Sequence, residues 1–275
     1  MSEPSVLTVL DLVEVQHLAE DAFCCVPSTG NSTRLGGSEL MVAGLLAASA
    51  TTSGALPPAA VHASFLRSGR SDAPVEVTVA RLHDGRSSAV RVVTATQDGV
   101  PIMTATFRFF AARPADDWQR ETVFDLTAAE GEEQFAVVAT LPTLRNFEVR
   151  AAVRPTDGKR VIHPYWVKSK AALPDDPLLH AALVLYLTDL GTTGSARAPG
   201  TPMRERMGPM SLDHAFWWHR PVRVDEWVHV NATSLTEASG RALARGEVVS
   251  ANGVLAASFS QDVVVPAQTP ERRTQ

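Results

Sequence analysis

The sequence predicts an α+β protein built from two copies of one unit, each a curved antiparallel sheet wrapped around a buried helix. Three observations lead there. The chain has 275 residues, too many for one ordinary core and comfortable for two of about 130. Two segments read as helices that are apolar on every side, and such helices must be buried on every side. After each of them the chain alternates apolar and polar residues through strands punctuated by matching turns.

The first helical segment runs from Gly36 through Leu40, Met41, Val42, Leu45 and Leu46 to Ala50. Val75, Val77 and Val79 then alternate with Glu76 and Thr78 as a half-buried strand. Asp84-Gly85-Arg86 turns the chain into Ser88 to Val93, and Asp98-Gly99 turns it again into Met103, Ala105, Phe107 and Phe109. The charge-rich stretch opening with Arg113 and Pro114 reads as a linker. Strands are expected near Phe147 to Val153 and Val161 to Val167. The second buried helix opens at Asp175-Asp176-Pro177, where acidic residues before a proline suit a helix start, and it ends near Asp189. Val228 and Val230, a turn at Ser239-Gly240-Arg241, Leu243 to Val249, the hairpin signal Asn252-Gly253 and Leu255 to Phe259 complete the second copy. Both copies carry Gly-Arg at one turn and Gly-Val at the next, which argues for duplication. The divisions expected are 1–112 for the first unit, 113–140 for the linker, 141–268 for the second unit and 269–275 for a tail.

Composition narrows the function. Charged residues make up 20% and the formal net charge is −5, with no long basic run, which argues against a nucleic-acid partner. The longest apolar run, Ala181 to Leu187, falls far short of the roughly 20 residues that span a membrane. No basic-then-apolar leader precedes the first unit, so a soluble, cytoplasmic protein without membrane insertion is expected. Adjacent Cys24 and Cys25 supply neither a bridge nor a metal site and read as small buried or half-buried residues. His214 and His219 lie five apart in an aromatic-rich strand, on opposite faces, and make no metal pair. His214 beside Asp213 reads as a structural hydrogen-bonding group. Gly36-Gly37 lacks the phosphate-loop lysine and suits close backbone approach to a ligand or another helix. No metal and no cofactor are expected. No Gly-x-Ser-x-Gly elbow is present, which argues against an α/β-hydrolase.

The elements in this order, together with Ser211-Leu212-Asp213-His214-Ala215-Phe216-Trp217-Trp218-His219-Arg220-Pro221, resemble the type II acyl-CoA thioesterases, the TesB-like double-hotdog enzymes. Val61 to Arg67, Asp84 to Ser87, Leu173 to Asp176 and Ala242 to Gly246 agree as well. The resemblance runs from about Leu10 to Val265. It implies a tandem hotdog fold, an acyl-CoA substrate and hydrolysis to free fatty acid and CoA. It also implies a water-holding carboxylate, hydroxyl and amide, at positions matched here by Asp189, Ser211 and Gln261. Where the family usually has Gly-Gly-Gln, this chain has Gly36-Gly37-Ser38, the candidate substrate-binding residues.

Thioester hydrolysis needs a base for water, a group that orients it and donors for the developing oxyanion. Asp189 stands at the end of a buried helix, where unpaired carbonyls and burial both disfavour negative charge, as a water-activating carboxylate requires. Ser211 and Gln261 can each accept and donate, which suits holding one water from two sides. Two alternatives remain. A hotdog enoyl-CoA hydratase is imitated by Asp175-Asp176-Pro177-Leu178-Leu179-His180, and a non-catalytic acyl-CoA or acyl-carrier binding module would share the fold. The free edges of such sheets lead to the expectation of a homo-oligomer, a dimer or larger.

Overall fold

The structure, a computed structural model, describes residues 11, 14–27, 34–52, 56–120, 142–151, 163–198 and 210–265. Its first half holds β1 (Gln16–Ala19), β2 (Ala22–Cys25), α1 (Gly37–Ala50), β3 (Pro58–Phe65), β4 (Val75–Asp84), β5 (Ser88–Gln97) and β6 (Val100–Phe110). The second half holds β7 (Phe147–Ala151), β8 (Tyr165–Ser169), α2 (Pro177–Asp189), a short α3 (Thr192–Ser195), β9 (Met210–Trp218), β10 (Val228–Ala238), β11 (Arg241–Ser250) and β12 (Leu255–Val264). The expected helices and the hairpin strands that follow them are all present.

All twelve strands form one antiparallel sheet in the order β1-β2-β4-β5-β6-β3-β9-β12-β11-β10-β8-β7. Read inward from its own edge, each half has the same order, with β7 to β12 standing where β1 to β6 stand. The internal repeat is thus a repeat of topology. The halves join where β3 lies against β9, Val61 opposite Phe216 and Ala63 opposite His214. Trp217 of that seam meets the His62 ring edge-on.

Both helices are buried nearly all round and pack against one another. Their surroundings are the inward rows of the strands, such as Val75, Val77, Val93, Phe107 and Phe109 in one half and Val228, Val230, Val248 and Phe259 in the other. Two-residue turns at Asp98-Gly99 and Ser239-Gly240 take positive φ at both positions, the turn whose twist matches the flanking strands. Cys24 is half-buried, Cys25 is buried, and both are free thiols.

Some boundaries differ from expectation. β8 begins at Tyr165 rather than Val161, because Pro164 has no N–H to give the ladder, and residues 161–162 lie outside the described set. So do 152–153 of the expected first strand, most of the linker (121–140) and the tail. The start of the linker, 113–120, has no regular structure and reaches across to the second half. There Gln119 donates to Gly253 O at 2.8 Å and accepts from Leu255 N at 3.0 Å. Among the described residues no helix is long and apolar enough to cross a membrane.

Candidate active site

α2 brings one carboxylate to the centre of the molecule. It starts at Asp176, whose side chain accepts the Leu178 N–H at 2.9 Å, and it ends at Asp189. The carbonyls at that end are not left unpaired, contrary to expectation. Leu187 O accepts from the Tyr165 hydroxyl at 2.6 Å, Thr188 O from Thr192 Oγ1 at 2.5 Å and Leu185 O from Thr188 Oγ1 at 2.9 Å. Leu190 O lies 2.9 Å from His163 Nε2. The helix end is held by side chains from β8, from α3 and from His163, so the half-buried Asp189 is set in a rigid frame.

Asp189 reaches across to α1. Its Oδ2 accepts the Ser38 backbone N–H at 3.0 Å, and its Oδ1 accepts from Gln261 Nε2 at 2.7 Å. Gly36, the N-cap of α1, offers no side-chain cap, so Asp189 does that work from the other half of the chain. A side chain at position 37 would obstruct this: a Cβ there would lie 2.8 Å from Phe65 Cζ and 3.3 Å from Asp189 Oδ2. The role of Gly37 is close approach. Ser38 enters through its main chain, which makes the departure from Gly-Gly-Gln less consequential for this contact.

Gln261 is fully buried. It belongs to the inward row of β12 with Ala257, Phe259 and Val263, a polar residue in an apolar file. Its Nε2 also donates to Ser211 Oγ at 2.5 Å. Both amide hydrogens are therefore committed, one to the carboxylate and one to the hydroxyl. A bulge in the β9–β12 pairing, where Asp262 and Val263 face Asp213 and Ser211, re-aims the Ser211 end of the strand.

All six candidate residues thus gather at one place: Asp189, Ser211 and Gln261 bonded in a row, with Gly36, Gly37 and Ser38 opening α1 against them. His214 is the buried hydrogen-bonding group expected. Its Nε2 lies 3.3 Å from Thr188 Oγ1 and its ring stacks on Phe259 with centroids 5.6 Å apart, while the neighbouring Asp213 accepts the Asp262 N–H. Burial pushes the His214 imidazole below its ordinary pKa, with Asp189 pulling the other way. The Asp175 and His180 that imitate a hydratase motif are engaged elsewhere, Asp175 accepting from Arg223 Nη1 at 2.8 Å and His180 Nδ1 accepting the Val224 N–H at 3.1 Å. Trp218 donates to Ala181 O at 3.2 Å and meets Phe216 edge-on.

The duplication shows what the first half lacks. In the first half Phe109 pairs with Pro58 and Phe107 with Val61, beside a bulge in the same place. In the second half Val263 pairs with Ser211 and Gln261 with His214. Pro58 therefore stands where Ser211 does, and Phe107 where Gln261 does. Beside Phe107 the fully buried Arg91 plugs the end of α1, donating to Thr51 Oγ1 at 2.8 Å, Thr51 O at 3.0 Å and Asp84 at 2.5 Å. One half supplies polar side chains to the site; the other supplies a helix N-terminus.

Residues 139–267 match the family model described as acyl-CoA thioesterase, and residues 35–110 match that of the acyl-CoA thioesterase N-terminal domain. The human protein "Acyl-coenzyme A thioesterase 8" is 26% identical over 94% of this chain and 88% of its own length. The crystal structure of an acyl-CoA thioesterase II, TesB2, from Mycobacterium marinum superposes with a TM-score of 0.80 at 26% identity, covering 95% of this chain and 99% of that one. A hot dog fold protein from Alicyclobacillus acidocaldarius shares the fold, with a TM-score of 0.75 at 20% identity over 95% and 98% of the two chains. With both family models matched in chain order and the fold shared from end to end, the chain belongs to the type II acyl-CoA thioesterase family.

Proposed function

We propose that the chain hydrolyses acyl-CoA to free fatty acid and CoA, with a water activated by Asp189 and oriented by Ser211 and Gln261, on a tandem pair of hotdog units. One observation carries this: a carboxylate, an amide and a hydroxyl linked in series at the N-terminus of a buried helix whose own N-cap residue offers no side chain. Gln261 spends both hydrogens on Asp189 and Ser211, which fixes their spacing and leaves the Ser211 hydrogen free to direct the water. Asp189 takes one proton from that water as its oxygen bonds to the thioester carbonyl carbon. The carbonyl oxygen gains the charge near the N-terminus of α1 at Gly36 and Gly37, the positive end of a helix dipole, while the Ser38 N–H stays with Asp189. Collapse breaks the C–S bond. The CoA thiolate leaves and regains the proton from Asp189. No step calls for a metal or cofactor.

The test is incubation with saturated and enoyl-CoA thioesters, following free thiol and enoyl absorbance. Thiol release from saturated substrates supports the proposal. Loss of enoyl absorbance without thiol would mean a hydratase, and neither signal would mean a binding module. A homo-oligomer is part of the same proposal, since β1 lies at a sheet edge with all four residues exposed. Light scattering that found only single chains would remove that part.

A further inference from the structure

Two buried polar groups in the site have no hydrogen-bond partner within ordinary geometry: Gln261 Oε1 and His214 Nδ1. They belong to residues that face each other directly in the β9–β12 pairing, where cross-strand side chains stand about 5 Å apart at Cβ. Both residues are fully buried, so water has no ready access to either group. One is an acceptor by necessity. The other is a donor in one of its two neutral tautomers.

We infer that His214 is a positioning residue, its Nδ1–H donating to Gln261 Oε1 and so fixing which end of the amide faces Asp189 and Ser211. The inference rests on the function proposed above and deepens it. An amide has two ends, and the site works with only one arrangement. A carboxylate at Asp189 accepts, so Gln261 must turn its NH2 toward it, as the 2.7 Å contact has it. Oε1 then points away from Asp189 into a dry core and needs a donor, since a buried acceptor left unsatisfied is costly. With the opposite tautomer, His214 would present a lone pair to Oε1. The amide would gain by turning over, which would set Oε1 against the carboxylate.

The far side of the ring fits the same assignment. His214 Nε2 lies 3.3 Å from Thr188 Oγ1, which lies 2.9 Å from Leu185 O. The threonine hydroxyl has one hydrogen; in this assignment it leaves Leu185 O and turns to Nε2, which carries none. Phe259 stacked on the ring at an interplanar angle of 7° prevents the imidazole from rotating out of the plane. Thr188 sits one residue before Asp189, so the carboxylate and the hydroxyl facing the far side of the His214 ring hang from one helix turn. Burial, which keeps the imidazole neutral, agrees with a single N–H being aimed rather than two.

The experiment compares wild type, Gln261→Ala, His214→Gln, His214→Asn and the double variant His214→Gln with Gln261→Ala. Asparagine places its amide N–H close to where imidazole Nδ1–H was; glutamine places its own nearer Nε2, keeping the Thr188 contact and losing the donor to Gln261. His214→Gln should lower kcat about tenfold with KM unchanged, the scale of one buried hydrogen bond. His214→Asn should stay within about threefold of wild type, and in the Gln261→Ala background His214→Gln should cost less than about twofold more. Equal losses for His214→Asn and His214→Gln, or full multiplication with Gln261→Ala, would overturn the positioning role. Should Gln261→Ala keep full turnover, the hydrolytic reading of the site fails and takes this role with it. An impaired Gln261→Ala with an unimpaired His214→Gln removes the positioning role alone. A measurement without substitution stands beside these: imidazole nitrogen NMR of the wild-type protein should find His214 as the neutral Nδ1–H tautomer, and the Nε2–H tautomer would contradict the assignment.

Discussion

Asp189 Oδ2 accepts the Ser38 backbone N–H at 3.0 Å, so the last residue of α2 caps the first turn of α1. That one bond ties the two copies together at the site. It also separates two roles of the carboxylate, as acceptor and as base. Asp189→Asn keeps an acceptor for Ser38 but sets an NH2 against the Gln261 NH2 and loses the base, so turnover should fall about a hundredfold or more at a stability cost on the order of 1 kcal/mol. Asp189→Ala should lose the cap too, for a further cost of roughly 1 kcal/mol. Paired kcat and urea-midpoint measurements check this, and wild-type turnover in Asp189→Asn would end the base assignment.

Ser211→Ala and Gln261→Ala should each lower the single-turnover rate, and the double variant should lose much less than the product of the two effects. Both side chains serve one water, and Gln261 donates to Ser211 directly at 2.5 Å. Once either is gone the water is misplaced, so little remains for the second substitution to damage. Simple multiplication of the losses would mean independent roles.

Arg91 should matter for stability and not for rate. It is fully buried at the C-terminal end of α1, bonded to Thr51 and Asp84, and a 14-residue helix puts it about 20 Å from Ser38. Arg91→Met should cost roughly 2–3 kcal/mol, as charged buried hydrogen bonds do, with kcat unchanged. A fall in kcat at unchanged stability would place Arg91 in the chemistry.

Acid should weaken the fold through its buried histidines. Burial holds His163 and His229 down to about 4, against an ordinary 6.5. Between those values the unfolded chain takes up protons that the native state refuses, so the stabilisation present above about 6.5 is lost as pH falls toward 4. The loss from pH 7.5 to 5 should be on the order of 1–2 kcal/mol per histidine. The carboxyls held low by arginines, among them Glu148 and Asp225, act below this window. Urea midpoints at the two pH values measure the effect; equal midpoints would contradict it.

The helices were legible because an all-apolar segment of helix length has one solution, burial, and both ended within two residues of expectation. The hairpins were legible from alternation and turn residues. The site residues came from a resemblance, yet one had its own signal: the alternation from Leu255 carries Gln261 inward, where a bare amide has no structural use. What the sequence hid was pairing at a distance. Nothing in Thr188, Thr192, Tyr165 or His163 reveals that they satisfy the end of α2, since those contacts depend on how β8 and α3 pack. For the same reason the sequence does not name the partner of His214, Thr188, which lies on α2.

The central claim, that Asp189 activates water and does not itself attack the thioester, is tested most directly by one turnover in 18O-labelled water with enzyme in excess of acyl-CoA. Water attack on the carbonyl carbon predicts one labelled oxygen in the released fatty acid and none in the Asp189 peptide. Label in the Asp189 carboxylate with an unlabelled acid product would mean a covalent acyl-aspartyl route and would contradict it.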